Sequence, residues 1–366
     1  MGIVEKLESY GVFVGDVGLA SLLCADNPKQ IKKAWDTGVK FIVLKTMMNS
    51  EDRPGETAIK GVQITDDNMT FYHTGTTSKE QLNFKDDSEG IVSLLNGLYN
   101  DNIVAIPSIG TKGTTTEPWE MMKKTLDGTE ARVLELNLRY LYRSLYCKHM
   151  GNDRCNEYII DSHADGEAVN EALYKSNRDF NNILMCIREI FPPNEYYLIG
   201  KMWSYSQMKL HIMYVCQNGF DALTLVNSKK SSPPEPFEKL PEGKLPQMSG
   251  LGLRPYREYA SQLVSGMGYN IPVFDSGGIG MEAIRKIDTR GATEISGYRE
   301  MMLQRNLQDA IKDIKHCFET GASYVQLGSV GYFNGPLGSV YDTLSMIMQE
   351  LNGPPNAKTP ARRIVS

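Results

Sequence analysis

The sequence has no CxxC pair and no apolar run long enough to span a membrane. Its six cysteines are scattered, so neither a structural zinc site nor an iron–sulfur cluster held by this chain alone is expected. Most of the cysteines are instead expected to be small buried apolar residues in a reducing cytosol. Because the N-terminus also lacks the apolar core of a signal peptide, we expect a soluble, cytoplasmic protein.

Strong charge of either sign is also missing. The formal net charge is only -5, and no block of Lys and Arg is interleaved with aromatic residues, as a nucleic-acid or anionic-membrane surface would require. The five histidines show neither HExxH nor any other paired-ligand spacing, so no metal site is expected. A small-molecule substrate, uncharged or anionic, is the expected partner.

Eight short, continuously apolar runs alternate with segments of helical pattern. Such runs are typical of parallel strands buried on both faces, and eight of them between helices predict a (β/α)8 TIM barrel. A doubly wound sheet has the same rhythm, but the glycine fingerprint expected after its first strand is missing here. The runs cover residues 18–24, 39–46, 102–110, 131–137, 196–201, 221–228, 271–278 and 323–329.

The intervals between the runs are uneven. A chain of 366 residues allows one large barrel or two ordinary domains, and we predict a single barrel domain over residues 1–366. Excursions at about 47–101, 138–195 and 228–250 are interpreted as insertions on the catalytic face of the barrel. The third, rich in Pro, Lys and Glu, is either a mobile loop over the site or a solvated surface loop.

Polar side chains follow several runs at their carboxyl ends, which line the active-site face of such a barrel. Lys45 and Lys201 each end an apolar run. A buried ammonium group there needs an anionic partner, such as the N1/C2=O edge of a reduced flavin. Asn137 and Asn227 add amides that both donate and accept hydrogen bonds. Taken singly, either asparagine would be interpreted as a strand cap or a turn residue.

Two glycine-rich turns follow the seventh and eighth runs, DSGGIG at 275–280 and QLGSVGYFNGP at 326–336. Glycine lets the backbone approach a ligand, and N–H groups at the start of a helix attract anions. In TIM barrels this pair of loops is the usual phosphate site. The two turns therefore predict that a phosphate group binds here.

The chain resembles the soluble dihydroorotate dehydrogenases and the related flavin domain of dihydropyrimidine dehydrogenases. From about Tyr196 to Pro336, the segments LIGK, TLVNS, SGLGLRP, IPVFDSGGI, GASYVQLGS and NGP follow the family's order and spacing. Before residue 130 the resemblance rests mainly on ASLLC and GVKFIVLKT. The family implies an FMN-containing TIM barrel of pyrimidine metabolism that moves a hydride between the flavin N5 and a C–C bond of a dihydropyrimidine, commonly as a homodimer.

The resemblance also implies roles for individual residues. Lys45 and Thr46 would lie along the flavin ring, and Lys201 would meet its N1 side. The implied FMN contacts are Lys45, Thr46, Asn137, Lys201, Asn227, Gly250, Gly252, Gly277, Gly278, Gly328 and Ser329. The implied substrate contacts are Asn137, Asn227 and Ser228.

The chain departs from the family at the catalytic base, which is a Cys or Ser three residues after the strand-4 asparagine. Here that residue is Tyr140, and Tyr142 follows it. A phenol with an ordinary pKa of about 10 is a poor base near neutral pH but a serviceable acid, which suits protonation of a carbon after hydride delivery. Oxidation would need Arg139 or Lys45 to lower that pKa. Tyr140 and Lys45 are the predicted catalytic residues; alternatively, Tyr140 and Tyr142 only fill space.

These observations predict an FMN-dependent oxidoreductase that acts on a CH–CH or C=C bond of a pyrimidine-type substrate other than dihydroorotate. Two alternatives stay open. The first is a barrel that binds FMN or a phosphate ligand without turnover, because Tyr140 replaces the Cys/Ser base. The second is a barrel enzyme that uses the phosphate site for a phosphorylated substrate and holds no flavin.

Overall fold

The computed structural model of the chain describes residues 2–21, 27–49, 63–65, 70–73, 82–151, 167–203, 207–227, 229–230, 247–286, 297–328 and 338–352. Two predicted site residues, Ser228 and Ser329, lie outside these ranges, and so does the side chain of Asn227.

Helices and strands alternate along most of the chain. The α-helices are α1 (Ile3–Ser9), α2 (Pro28–Trp35), α3 (Ser88–Asn100), α4 (Glu117–Leu126), α5 (Leu138–Met150), α6 (Glu167–Ile190), α7 (Met208–Gln217), α8 (Arg254–Gly266), α9 (Tyr298–Glu319) and α10 (Val340–Asn352). The strands are β1 (Val17–Leu19), β2 (Ile42–Val43), β3 (Met47–Asn49), β4 (Gln63–Thr65), β5 (Thr70–His73), β6 (Ala105–Ile106), β7 (Ser108–Thr111), β8 (Val133–Asn137), β9 (Tyr197–Trp203), β10 (Ala222–Asn227), β11 (Lys229–Lys230), β12 (Gln247–Gly250), β13 (Val273–Ser276) and β14 (Tyr324–Leu327).

Ten of the strands form one curled, all-parallel sheet in the order β3-β7-β8-β9-β10-β13-β14-β1-β2-β6. Strand β1 pairs with β14 on one side and with β2 on the other. Each of the eight predicted apolar runs overlaps a strand of this sheet. The coarser part of the fold prediction, a mixed α/β fold with a barrel-like parallel sheet, is therefore confirmed.

Strand β3 extends the second predicted run into what was interpreted as an excursion. Met47 and Met48 are buried and pair in parallel with Ile109 and Gly110 of β7. Two apolar side chains therefore continue the strand beyond the polar residues that were taken to end it.

Side chains of one strand alternate between two environments. Leu134 and Leu136 of β8 belong to the large apolar core that includes residues of the surrounding helices, whereas Val133 belongs to a second cluster on the other face of the strand. This alternation has the two-residue period of any strand. Glu135 and Asn137 therefore share the face of Val133, and both are buried.

The second apolar cluster lies at the amino ends of the strands. It includes Ile3 and Leu7 of α1, packed with strand residues such as Phe274 and Tyr324, whose rings stack with centroids 4.4 Å apart. Burying side chains of this size stabilises a fold by about 1.5–3 kcal/mol each. The amino end of this face is thus closed by apolar packing, and its polar side chains lie nearer the carboxyl ends.

Segments from two predicted excursions meet in a separate antiparallel sheet, ordered β11-β12-β5-β4. Strands β4 and β5 come from 47–101, and β11 and β12 from 228–250. The excursion at 138–195 contains the helices α5 and α6. Cys147 on α5 is disulfide-bonded, which the scattered cysteine spacing did not predict.

Among the described helices, none has the length and apolar character needed to cross a membrane.

Candidate functional site

A buried polar network links side chains of the adjacent strands β8, β9 and β10 with a side chain of β14. The Lys201 ammonium donates to Glu135 Oε1 at 2.8 Å. The Thr224 hydroxyl donates to Glu135 Oε2 at 2.9 Å, and Gln326 Nε2 donates to Thr224 Oγ1 at 3.4 Å. All four residues are at most 5% exposed. The anionic partner that a buried lysine requires is therefore supplied by the protein itself.

The donors and acceptors of this network are unevenly matched. Glu135 accepts a hydrogen bond on each of its two oxygens, as a carboxylate does. An ammonium group carries three N–H donors, but Lys201 has a single acceptor among the described residues. Within this part of the chain, two of its N–H donors therefore have no acceptor.

Asn137 extends the polar surface toward β2 and β7. It lies opposite Lys201 in the β8–β9 register, and its Nδ2 donates to Thr46 Oγ1 at 3.3 Å. Thr46 in turn shares a hydrogen bond of 3.0 Å with Ser108. The Asn137 carbonyl oxygen is buried and has no donor among the described residues. Such an unmatched acceptor costs about 1–3 kcal/mol, so this oxygen fits a ligand that brings an N–H or O–H group.

Tyr140 lies beside these residues because a glycine leaves room for its ring. A Cβ added at Gly110 of β7 would lie 3.3 Å from Tyr140 Cδ2 and 3.4 Å from both Asn137 O and Thr46 Cγ2. Gly110 thus brings Tyr140, Thr46 and Asn137 together. Lys45, the residue before Thr46, is partly exposed in the segment between β2 and β3.

Burial raises the pKa of the Tyr140 phenol above its ordinary value, and the nearby Arg139 and Arg143 only partly oppose this effect. Oxidation would need Arg139 to lower the pKa of Tyr140 below its ordinary value, but the effect of burial is the larger one and the pKa is raised. The hydroxyl stays protonated at neutral pH, and it is suited to donate a proton rather than to remove one.

Tyr142 is placed differently and belongs to the helical core. Its hydroxyl donates to Asn177 Oδ1 at 3.0 Å, and its ring packs edge-on against His211 with centroids 4.2 Å apart. The side chain is fully buried. Of the two tyrosines, Tyr142 is therefore the one that fills space in the protein interior.

The two predicted glycine turns emerge side by side. Gly277 and Gly278 follow β13, Gly328 follows β14, and the neighbouring strands are in register at Ser276 and Gln326. Gly277 and Gly278 have φ values of 98° and 73°, in the region that favours glycine.

Strand β12 packs directly against the first turn. A Cβ added at Gly278 would lie 2.2 Å from the Gly250 carbonyl oxygen, and one at Gly277 would lie 3.2 Å from the Val226 carbonyl oxygen. Gly252 follows in the short 3-10 helix Leu251–Leu253. The predicted ring contacts Gly250 and Gly252 are thus brought next to the predicted phosphate turn.

Buried charges hold the first turn in place, and sequence reasoning missed them. Arg257 of α8 donates to the Gly277 carbonyl at 3.4 Å and pairs with Asp313 of α9 at 3.2 Å. Asp313 accepts from the Gly280 backbone N–H at 3.0 Å. Burial raises the pKa of the nearby Asp275 to about 6, although Arg257 opposes the rise.

Other missed residues are Glu135, Thr224, Gln326 and Gly110. A signal for Glu135 was present, because it is a charged residue inside the apolar run ARVLELN and stands two positions before Asn137, on the same face of the strand. The other three look like ordinary strand residues, and only the pairing of distant strands brings them together.

The fold and this site define the chain as a mixed α/β protein with a curled parallel sheet and a polar, glycine-flanked cluster near the carboxyl ends of the strands. No family model matches the chain, and no curated protein matches it either. Within the described part of the chain, no group of three or more His, Cys, Asp or Glu side chains is arranged to hold a metal ion.

Proposed function

We propose that the curled sheet is a closed (β/α)8 TIM barrel. Support comes from the pairings on either side of two interrupted strands: β2 pairs with β6, and β3 pairs with β7. If residues 42–49 and 105–111 are each counted as one strand, eight strands result, and each pairs with a neighbour on both sides. A closed barrel would gather the carboxyl ends of all eight strands around one mouth.

We further propose that the protein is an FMN-dependent oxidoreductase, similar to dihydroorotate dehydrogenase, that acts on a CH–CH or C=C bond of a pyrimidine-type substrate. One observation carries the proposal: among the described residues, the buried Lys201 ammonium has one acceptor for its three N–H donors, and the carbonyl oxygen of Asn137, which lies opposite Lys201 in the strand register, has no donor. A planar ring with carbonyl acceptors and an imide N–H matches both groups. FMN, when bound, supplies the hydride-transfer chemistry.

The glycine turns fit the other end of this cofactor. Gly277, Gly278 and Gly328 lie on neighbouring turns, and at Gly278 no side chain can be accommodated. Backbone N–H groups of glycine turns can bind phosphate oxygens. The FMN phosphate is therefore proposed to bind there, with Ser329, while the ring lies near Lys45, Thr46, Gly250 and Gly252.

The proposed direction of reaction follows from Tyr140. Its phenol is held protonated by burial, beside Asn137 and Thr46. A protonated phenol can donate to a substrate carbon after a hydride has been delivered to the adjacent carbon, which is reduction of a C=C bond. Asn137, Asn227 and Ser228 are proposed to bind the substrate.

A second candidate function is favoured by the same residue. The Tyr140 ring packs against Gly110, and its raised pKa makes it unsuited to be the base that the family uses for oxidation. A barrel that binds FMN, or another phosphate ligand, without turnover would have the same arrangement.

Absorbance of the purified protein tests the proposal. The protein is expected to be yellow, with the bands of oxidised flavin, or to acquire them when FMN is added to the apoprotein. FMN is expected to bind more tightly than riboflavin, because riboflavin lacks the phosphate. Anaerobic bleaching by a pyridine nucleotide, followed by reoxidation with an unsaturated pyrimidine, favours the oxidoreductase over the binding barrel. Colourless protein that FMN neither colours nor stabilises against heat refutes the oxidoreductase and leaves, of the second candidate, only the binding of a phosphate ligand other than FMN.

A further inference from the structure

We propose that Glu135 is a positioning residue that sets how strongly the Lys201 ammonium stabilises negative charge on a bound redox ring, and that it thereby sets the midpoint potential of that ring. The inference rests on the proposed FMN function and extends it to a residue that no motif of the sequence singled out. It concerns the charge behind Lys201 rather than a group that touches substrate.

The two charges act on a ligand in opposite directions. The Glu135 carboxylate lies 2.8 Å from the Lys201 ammonium, and both side chains are almost completely buried. A ring atom that accepts from Lys201 is close to the positive charge and farther from the negative one. Because Coulomb energy falls as the inverse of distance, the carboxylate cancels part of the attraction without abolishing it.

The negative charge is also fixed in position. Glu135 Oε2 is held by the Thr224 hydroxyl, which itself accepts from Gln326 Nε2. The carboxylate therefore cannot turn away from Lys201 without breaking a buried hydrogen bond. A charge that is held in place before a ligand binds changes the energy of that ligand without reorganisation.

Loss of this negative charge is expected to raise the midpoint potential of the bound ring. An oxidised flavin ring is neutral, whereas the reduced ring carries negative charge at its N1 edge, so the full positive charge of Lys201 favours the reduced form. We expect Glu135→Gln to increase the ratio of affinities for reduced over oxidised FMN at least tenfold. A tenfold change corresponds to a midpoint about 30 mV higher for a two-electron couple.

The experiment compares the full-length protein with Glu135→Gln, each loaded with FMN. The dissociation constant of oxidised FMN is measured by flavin fluorescence, and the midpoint by spectroelectrochemical titration. Asp221→Asn is the matched control, because it also removes one negative charge from an ion pair. Asp221 pairs with Arg188 at 3.2 Å and lies just before the amino end of β10, whereas the proposed ring lies near the carboxyl ends of the strands. Its midpoint is expected to remain that of the wild type. A zero or downward shift in Glu135→Gln overturns the inference.

A second comparison covers the case in which Glu135→Gln does not fold or does not retain FMN, because a buried ammonium without its partner is costly. Glu135→Asp is then compared with the wild type, because it keeps both charges and moves the carboxylate one methylene away from the Lys201 ammonium. The variant is expected to have the higher midpoint, with a smaller shift than that expected for Glu135→Gln. A zero or downward shift overturns the inference, whereas a wild-type protein that binds no FMN refutes the proposed function instead.

Discussion

The Gly278→Ala substitution tests whether the turn after β13 has the tight geometry from which the phosphate site is argued. Gly278 has φ of 73°, and an alanine Cβ would lie 2.2 Å from the Gly250 carbonyl oxygen and 2.7 Å from its carbonyl carbon. A left-handed backbone costs a residue with a side chain about 1–2 kcal/mol, and overpacking costs about 1–3 kcal/mol. The expected loss of unfolding free energy is therefore about 2–5 kcal/mol.

Urea denaturation followed by circular dichroism measures this loss. Gly97→Ala is the matched control, since Gly97 lies within α3 and an added Cβ would have no atom within 4 Å. There the same substitution is expected to stabilise the protein by up to about 1 kcal/mol, because alanine favours the helix. Gly278→Ala is also expected to weaken the binding of FMN more than that of riboflavin. If Gly278→Ala is as stable as the wild type, the close contact between β12 and the turn is refuted.

Three further substitutions test residues in the site and in the core beside it. The pKa of Asp275 is raised to about 6, so the folded state binds its proton more tightly than the unfolded state does. The free energy of unfolding is therefore expected to fall by up to about 3 kcal/mol as the pH rises from about 4 to 6. Asp275→Asn should remove that component of the pH dependence in urea titrations, and an unchanged slope contradicts the assignment. Tyr142→Phe deletes the hydrogen bond to Asn177 and is expected to cost about 1 kcal/mol by thermal unfolding without changing FMN affinity; weaker FMN binding would place Tyr142 in the site. Tyr140→Phe should slow single-turnover flavin reoxidation by a bound substrate at least about a hundredfold, and an unchanged rate removes Tyr140 from the proton step.

The strands of the parallel sheet could be predicted from the sequence. Each is buried on both faces, and a strand buried on both faces requires a continuous run of apolar residues. The run ARVLELN became β8 and the run at 221–228 became β10. The small antiparallel sheet gave no such signal. Its strands are two to four residues long, and β5 pairs with β12, more than 170 positions farther along the chain. Pairing over that separation depends on the fold around it and not on a local pattern.

The two tyrosines show a similar limit within one helix. Tyr140 and Tyr142 were interpreted as a pair, yet residues two positions apart on a helix differ by about 200° around its axis. Both tyrosines belong to α5, which begins at Leu138, so helical periodicity predicts that their side chains lie on opposite sides of the helix. The prediction interpreted 138–195 as an excursion on the catalytic face and did not apply this periodicity to it. The position of Tyr140 over Gly110 additionally depends on β7, which no pattern within α5 encodes.

Strand β8 shows how stability and ligand binding are separated along the chain. On one face it places Val133 in the apolar cluster at the amino end, then Glu135 in the ion pair, and then Asn137 with its unmatched carbonyl oxygen. The apolar end stabilises the fold without any ligand. The carbonyl oxygen of Asn137 has no donor among the described residues, which costs free energy unless the proposed ligand supplies one. Glu135 lies between them, so a change of its charge would act on the proposed flavin while the packing at Val133 stays intact. For this reason Glu135→Gln is expected to alter the midpoint potential of the proposed flavin, whereas Val133→Ala is expected to lower stability by about 2 kcal/mol and to leave that potential unchanged.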